Sequence, residues 1–199
     1  MDILPVSRKD LQTLYASGNS MADIAKKMQC SQHKVAYWMR KYNLTRRSRS
    51  EAGYLKLNPN GDPFHIKQDL NSQEMFLYGL GLGIYWGEGE KVSSNAIRVA
   101  NTDPRLLKTF IRFLLEICGL EKEKLLYSII CFNDINAEEA KMHWAKELKI
   151  SPDKFGKIVQ IPTQGRGNYK RKSRFGVCTV IVSNIKLKPW IMKQLADIV

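Results

Sequence analysis

Apolar residues recur every three or four positions in three short stretches of the first 45 residues, and a serine precedes each stretch. Ser7, Ser20 and Ser31 are suited to cap the three helices that this spacing predicts. A tight turn at Gln29–Cys30 separates the second helix from the third. Two short helices, a tight turn and a third amphipathic helix are typical of a helix-turn-helix, so we predict a three-helix domain of this kind over residues 1–45.

The pattern changes after residue 45. Residues 46–70 begin with a basic, hydroxyl-rich run and continue into a cluster of Asn, Pro, Gly and Asp, so we expect a linker with a basic arm at its start. Residues 71–199 then alternate between helical and strand patterns. The predicted helices are 73–87, 104–118, 137–148 and 187–198, and the predicted strands are 96–101, 125–132, 157–161 and 175–183. This order indicates an α+β fold class, with a mixed α/β domain after the helical bundle and a hairpin formed by the last two strands.

Charge narrows the range of partners. The 199 residues include 32 Lys and Arg against 19 Asp and Glu, a net charge of +13, and the excess is spread over both predicted domains. Such a balance favours a polyanion, and most simply double-stranded DNA. The longest apolar stretch is about 13 residues, too short to span a bilayer. The four cysteines lack metal-site spacing, which disfavours structural zinc. Residues Met1–Lys9 show no apolar signal stretch and no cleavage pattern, so we expect a cytoplasmic protein with free thiols.

Four basic sets are candidates for DNA contact. The predicted third helix would present polar side chains to the major groove, and the arm would lie in a minor groove or along phosphates. Arg98 lies in the first strand, and five cations fall within nine residues of the predicted hairpin loop. In chain order the candidates are Gln32, His33, Lys34, Tyr37, Arg40 and Lys41 on the helix, Arg46, Arg47 and Arg49 in the arm, Arg98, and Arg166, Lys170, Arg171, Lys172 and Arg174 in the loop.

The helix predicted over 73–87 contains three glycines four residues apart, Gly79, Gly83 and Gly87, and Glu88 follows them. Each glycine costs about 1 kcal/mol relative to alanine inside a helix, so the ridge indicates close packing against another backbone. Leu77, Leu80 and Ile84 are left for the core. If two copies of this helix meet about a two-fold axis, two Glu88 carboxylates come together, an arrangement that suits a Mg²⁺ ion on a phosphodiester.

These residues resemble the signature helix of the LAGLIDADG homing endonucleases, a small-residue helix that ends in an acid followed by glycine, here Glu88-Gly89. The resemblance covers residues 75–199 and contains a single copy of the motif. It implies a homodimer joined through Gly79, Gly83 and Gly87, one Mg²⁺-binding Glu88 from each subunit, cleavage of both DNA strands, and sheets that lie over the DNA. Separately, Lys91 or Lys170 is a candidate to stabilise charge at the scissile phosphate, and the sequence does not choose between them.

Two departures from the family pattern keep other functions open. Only eight residues, 89–96, separate Glu88 from the first strand core, and a helix is predicted at 137–148 where a direct return is expected. The first alternative is a transcriptional regulator whose LAGLIDADG-like domain is catalytically inactive. The second is an RNA-binding accessory protein, although the clusters of base-stacking aromatics typical of RNA recognition are lacking.

Overall fold

The computed structural model describes residues 7–162 and 173–197. The chain divides into two compact units, Met1–Asp62 and Pro63–Val199. The boundary therefore falls inside the segment 46–70, which was expected to be a linker. The residues just after it belong to the second unit, because the Lys67 backbone N–H donates to the carbonyl of Ile117 at 2.9 Å and Phe64 and Ile66 pack against that unit's core.

The first unit contains the three expected helices: α1 (Arg8–Ala16), α2 (Met21–Lys27) and α3 (Gln32–Lys41). Each begins after the serine that the sequence indicated, and each serine Oγ accepts a backbone N–H from three residues further on. The turn between α2 and α3 places Gln29 at a φ of 49°. A small core holds the helices together, formed by Leu11, Ile24, Ala25, Val35 and Met39.

The expected basic arm is more ordered than its sequence indicated. A fourth helix, α4 (Arg49–Leu57), begins there with a capping box between Ser48 and Glu51. The guanidinium of Arg47 lies 4.0 Å from the centre of the Tyr15 ring, and its backbone N–H donates to Tyr15 Oη at 2.8 Å. Arg47 is therefore anchored to α1, whereas Arg46 and Arg49 are exposed.

The second unit contains four α-helices among its described residues: α5 (Ser72–Glu88), α6 (Pro104–Arg112), α7 (Ala137–Leu148) and α8 (Leu187–Ala196). Asn71 and Glu74 form a capping box at the start of α5, as expected from the sequence. The helix predicted over 104–118 continues beyond α6 as a π-helical turn, Phe113–Ile117. No helix in the described ranges is both long enough and apolar enough to cross a membrane.

Four strands, β1 (Ala96–Asn101), β2 (Leu126–Phe132), β3 (Val159–Ile161) and β4 (Val177–Ser183), form one mixed sheet in the order β1-β4-β2-β3. β4 pairs antiparallel with both β1 and β2, while β3 pairs parallel with β2. The predicted hairpin of the last two strands is therefore wrong, because β2 lies between β3 and β4. The combination of helices with a mixed sheet agrees with the predicted α+β class.

One side of this sheet is covered by helices, and no helix within residues 7–162 and 173–197 covers the other. Alternating residues of β1, β2 and β4 are buried, including Ile97, Val99, Ile129 and Val180. They share a core with Phe110 and Phe113 from the α6 segment and Trp144 from α7. The intervening residues define the open sheet face: Arg98 and Ala100 of β1, Val177, Thr179, Ile181 and Ser183 of β4, Leu126, Ser128, Ile130 and Phe132 of β2, and Val159 and Ile161 of β3.

Candidate nucleic-acid interface

Helix α3 presents most of the predicted DNA-contacting side chains of the first unit to solvent. Its inward side buries Val35 and Met39 and packs Trp38 against the same core. Gln32, His33, Arg40 and Lys41 are exposed, Tyr37 is 52% exposed and Lys34 is partly buried. The Lys41 ammonium lies 4.7 Å from the centre of the Trp38 ring. One helix therefore brings six of the predicted residues together on one surface.

Helix α5 has an exposed side centred on its glycines, which we call the glycine face: Met75, Phe76, Gly79, Leu80, Gly83, Trp86 and Gly87. A Cβ atom added to Gly79, Gly83 or Gly87 would have no neighbouring atom within 4 Å. Phe76 is 72% exposed and Trp86 60%. The ridge expected from the sequence therefore lies on the outside of the second unit, flanked by large apolar side chains that nothing in the described chain covers.

The core side of α5 differs from the expected one. Leu77 is buried and Ile84 packs against the core, but Leu80 is 41% exposed and lies on the glycine face. A fourth glycine, Gly81, packs inward instead: a Cβ there would lie 2.2 Å from Cγ of Phe113. The close approach between α5 and the π-helical turn therefore requires Gly81.

Glu88 is the last residue of α5 and its side chain is exposed. Within the described residues, its carboxylate takes part in no hydrogen bond and no ion pair. The chain bends immediately afterwards, because Gly89 forms an antiparallel bridge with Val99 and so places Glu88 at the β1 edge of the sheet. A Cβ at Gly89 would lie 2.3 Å from the Tyr85 carbonyl oxygen, so this bend requires glycine.

A lysine that sequence reasoning missed supports this end of α5. Lys188 is 2% exposed, and its ammonium donates to Tyr85 Oη and, at 2.6 Å, to the Glu90 carbonyl. Burial lowers the pKa of Lys188, while burial and the nearby Glu90 carboxylate raise the pKa of Tyr85 to about 12. Nothing in the sequence distinguishes Lys188 from the nearby Lys186 and Lys193.

Glu90 and Lys91, the charged residues that follow Glu88, both make contacts within the local structure. The Glu90 carboxylate accepts the Ser93 backbone N–H at 2.7 Å and lies 3.6 Å from the Arg98 guanidinium. The Ser93 hydrogen bond is the main reason that the pKa of Glu90 is lowered, with Lys188 and Arg98 adding to it. Lys91, a predicted catalytic residue, donates to the Trp86 carbonyl at 2.5 Å and so caps the end of α5.

The predicted loop cations are only partly described. Arg174 is exposed, with its guanidinium 5.2 Å from the centre of the Phe175 ring. Arg98 is exposed on the open sheet face. Four predicted residues lie outside the described ranges: Arg166, Lys170, Arg171 and Lys172.

The described residues contain no group of three or more His, Cys, Asp or Glu side chains placed to hold a metal ion. Cys118, Cys131 and Cys178 are buried free thiols, and burial raises the pKa of each. The described residues therefore place no such group around Glu88. Comparisons of the chain with protein-family models, with curated proteins and with solved structures gave no match.

Proposed function

We propose that this protein is a homodimeric, sequence-specific DNA-binding protein that cleaves both strands of double-stranded DNA with Mg²⁺. The observation that carries the proposal is the exposed glycine face of α5, which ends at an exposed Glu88 carboxylate with no partner in the described chain. Helix α3 would act as a recognition helix, supported by its exposed polar side and its place after a tight turn.

The shape of the glycine face supports a second copy as its occupant. At about 100° per residue, Trp86 lies about 60° to one side of Gly83 and Leu80 about 60° to the other. About a two-fold axis parallel to the helices, Trp86 of one copy faces the side of the other that carries Gly87 and Leu80. The missing glycine side chains leave room there for the indole, so each helix supplies both a bulky group and the space for its counterpart.

Glu88 has the chemistry that Mg²⁺ prefers. Mg²⁺ in nucleic-acid enzymes usually takes one or two carboxylates together with phosphate oxygens. Two Glu88 side chains at the dimer axis would supply those carboxylates, and the ion when bound would polarise the phosphodiester and lower the pKa of a water molecule. Lys188, by donating to Tyr85 and to the Glu90 carbonyl, fixes the bend that positions Glu88.

The second candidate is a DNA-binding regulator built on the same dimer. It is favoured by one observation: of the two neighbouring carboxylates in the described chain, only Glu88 is available to a metal ion, because Glu90 is engaged by Ser93 and Arg98. A regulator would bind its operator equally well with and without Mg²⁺.

A cleavage selection from a randomised duplex library distinguishes the two candidates. The wild-type protein would be tested with Mg²⁺ and with EDTA, beside Glu88→Gln and the control Glu138→Gln, which alters an exposed carboxylate on α7. We expect Mg²⁺-dependent ends at one sequence, retained by Glu138→Gln and lost by Glu88→Gln. Cleavage that survives Glu88→Gln contradicts this role of Glu88, and an enriched but uncut sequence for every protein identifies the regulator.

A further inference from the structure

A cavity of about 240 Å³ lies between the start of β2 and the segment that follows α7. Its volume equals that of about eight water molecules, so a ligand of about ten non-hydrogen atoms would fill it. Among the described residues that line it, none belongs to α3, to α5 or to the open sheet face. The cavity is therefore separate from the surfaces proposed to contact DNA or a second copy of the chain.

The floor of this cavity is apolar and contains a hydroxyl group without a partner. Leu125 is 1% exposed and Tyr127 is 3% exposed, while Ile150 is partly buried. In the ranges that the structure describes, the Tyr127 hydroxyl takes part in no hydrogen bond. Burial raises the pKa of Tyr127 to about 12, so the phenol keeps its proton and is a donor. Because a buried tyrosine hydroxyl usually has a hydrogen-bond partner, a ligand in the cavity would supply the missing acceptor.

The rim of the cavity carries three positive charges against one negative charge. The four charged residues are Lys122, Lys149, Lys154 and Glu123. Across residues 7–162 and 173–197, none of the three ammonium groups takes part in a hydrogen bond or an ion pair. The carboxylate of Asp153, which does not line the cavity, accepts the Ser151 hydroxyl. The rim therefore favours an anion, and its lysines have no bonded partner to give up when the anion binds.

Lys149 occupies a backbone conformation that glycine adopts more readily. It ends α7 with a φ of 55° and a ψ of 47°, in the left-handed region. A side chain is disfavoured there because its Cβ approaches the following carbonyl oxygen. The preference of the backbone therefore does not account for a lysine at this point of the rim, and replacement by glycine separates that preference from the role of the ammonium.

We propose that this cavity binds a small organic anion, consisting of an apolar body that carries one carboxylate or phosphate group. The body would pack against Leu125, Tyr127 and Ile150, and the charged group would accept hydrogen bonds from the Tyr127 hydroxyl and the rim lysines. A nucleic-acid backbone does not fit this description, because its phosphates are bound by side chains on an open surface and bring no apolar group to fill the floor. The proposal goes beyond the proposed function and does not depend on it.

Isothermal titration calorimetry with the full-length protein tests the two requirements separately. Benzoate and phenyl phosphate combine an apolar ring with a charge, whereas benzamide has the shape of benzoate without its charge and inorganic phosphate has a charge without a ring. We expect benzoate or phenyl phosphate to bind with a Kd of about 1 mM. Benzamide and inorganic phosphate should bind at least about tenfold more weakly.

Three variants locate the binding site. Tyr127→Phe keeps the ring and removes the hydroxyl, so it should weaken binding of the anion by about fivefold. Lys149→Gly should weaken binding by a similar factor and at the same time raise the urea midpoint, because glycine relieves the left-handed backbone. Lys146→Gln is the control: it removes an exposed lysine of α7 that does not line the cavity, and should leave the affinity unchanged.

Each other outcome overturns the proposal. If neither organic anion binds at about ten times the expected Kd, the cavity is not a ligand site. If benzamide equals benzoate, or inorganic phosphate equals phenyl phosphate, the charge or the apolar body is not recognised. If Tyr127→Phe and Lys149→Gly bind the anion as the wild type does, the anion binds elsewhere. These measurements involve neither DNA nor Glu88, so their failure leaves the proposed function untouched.

Discussion

Two glycines of α5, two residues apart, should respond in opposite ways to the same substitution. At Gly83 an added Cβ meets no atom within 4 Å, so Gly83→Ala gains the full helix preference of alanine, about 1 kcal/mol. At Gly81 the Cβ would lie 2.2 Å from Cγ of the fully buried Phe113. Overpacking typically costs about 1–3 kcal/mol and this contact is severe, so Gly81→Ala should lose about 2 kcal/mol net.

The effect of Gly83→Ala on stability should also depend on protein concentration. In a dimer joined through the glycine face, the added methyl groups push the helices apart and should raise the dissociation constant by about tenfold or more. Since dimerisation stabilises the folded chain, the variant should be more stable than wild type in dilute solution and lose that advantage in concentrated solution. Gly81→Ala should be less stable at every concentration.

Urea denaturation at two protein concentrations, with sedimentation equilibrium on the same samples, measures both effects. A loss of stability for Gly83→Ala in dilute solution would refute the reasoning, because it would mean that Gly83 already packs closely within its own chain. A stability gain with no change in self-association would leave the glycine face exposed in the functional protein and remove the support for the dimer.

Three other substitutions test the local structure. Lys188→Met should remove a pH dependence of stability. A lysine with a lowered pKa binds fewer protons in the folded chain than in the unfolded chain. Its contribution to the free energy of unfolding therefore rises with pH, up to about pH 10.5, the ordinary pKa of lysine. The difference between wild type and variant across alkaline pH measures it, and a flat difference would contradict the burial of the ammonium. Glu90→Gln should reduce acid sensitivity, because a carboxyl with a lowered pKa stabilises the fold above 4.5 and loses that contribution as the pH falls; thermal melts below pH 4.5 would show it. Asn71→Ala should cost about 1 kcal/mol by removing the cap of α5, against a change near zero for the neighbouring, exposed Gln73→Ala.

Local signals in the sequence determined the elements whose ends are marked by capping residues or by a turn. Ser20 with Asp23 and Asn71 with Glu74 form the capping boxes that start α2 and α5, and α7 occupies the predicted residues. Strand β1 also has the predicted bounds, because its alternation is clear and a turn precedes it. Caps and periodicity depend on neighbours within a few residues, so the sequence alone specifies them.

Only the tertiary structure decided which surfaces meet. Helix α5 is apolar on all sides, so its sequence could not show that Gly81 faces Phe113 and Leu80 faces outward. Strand order depends on pairing between distant segments, and β2 lies between the two strands that adjacency in sequence would have paired. The position of Lys188 depends on contacts across about a hundred residues, which no local pattern encodes.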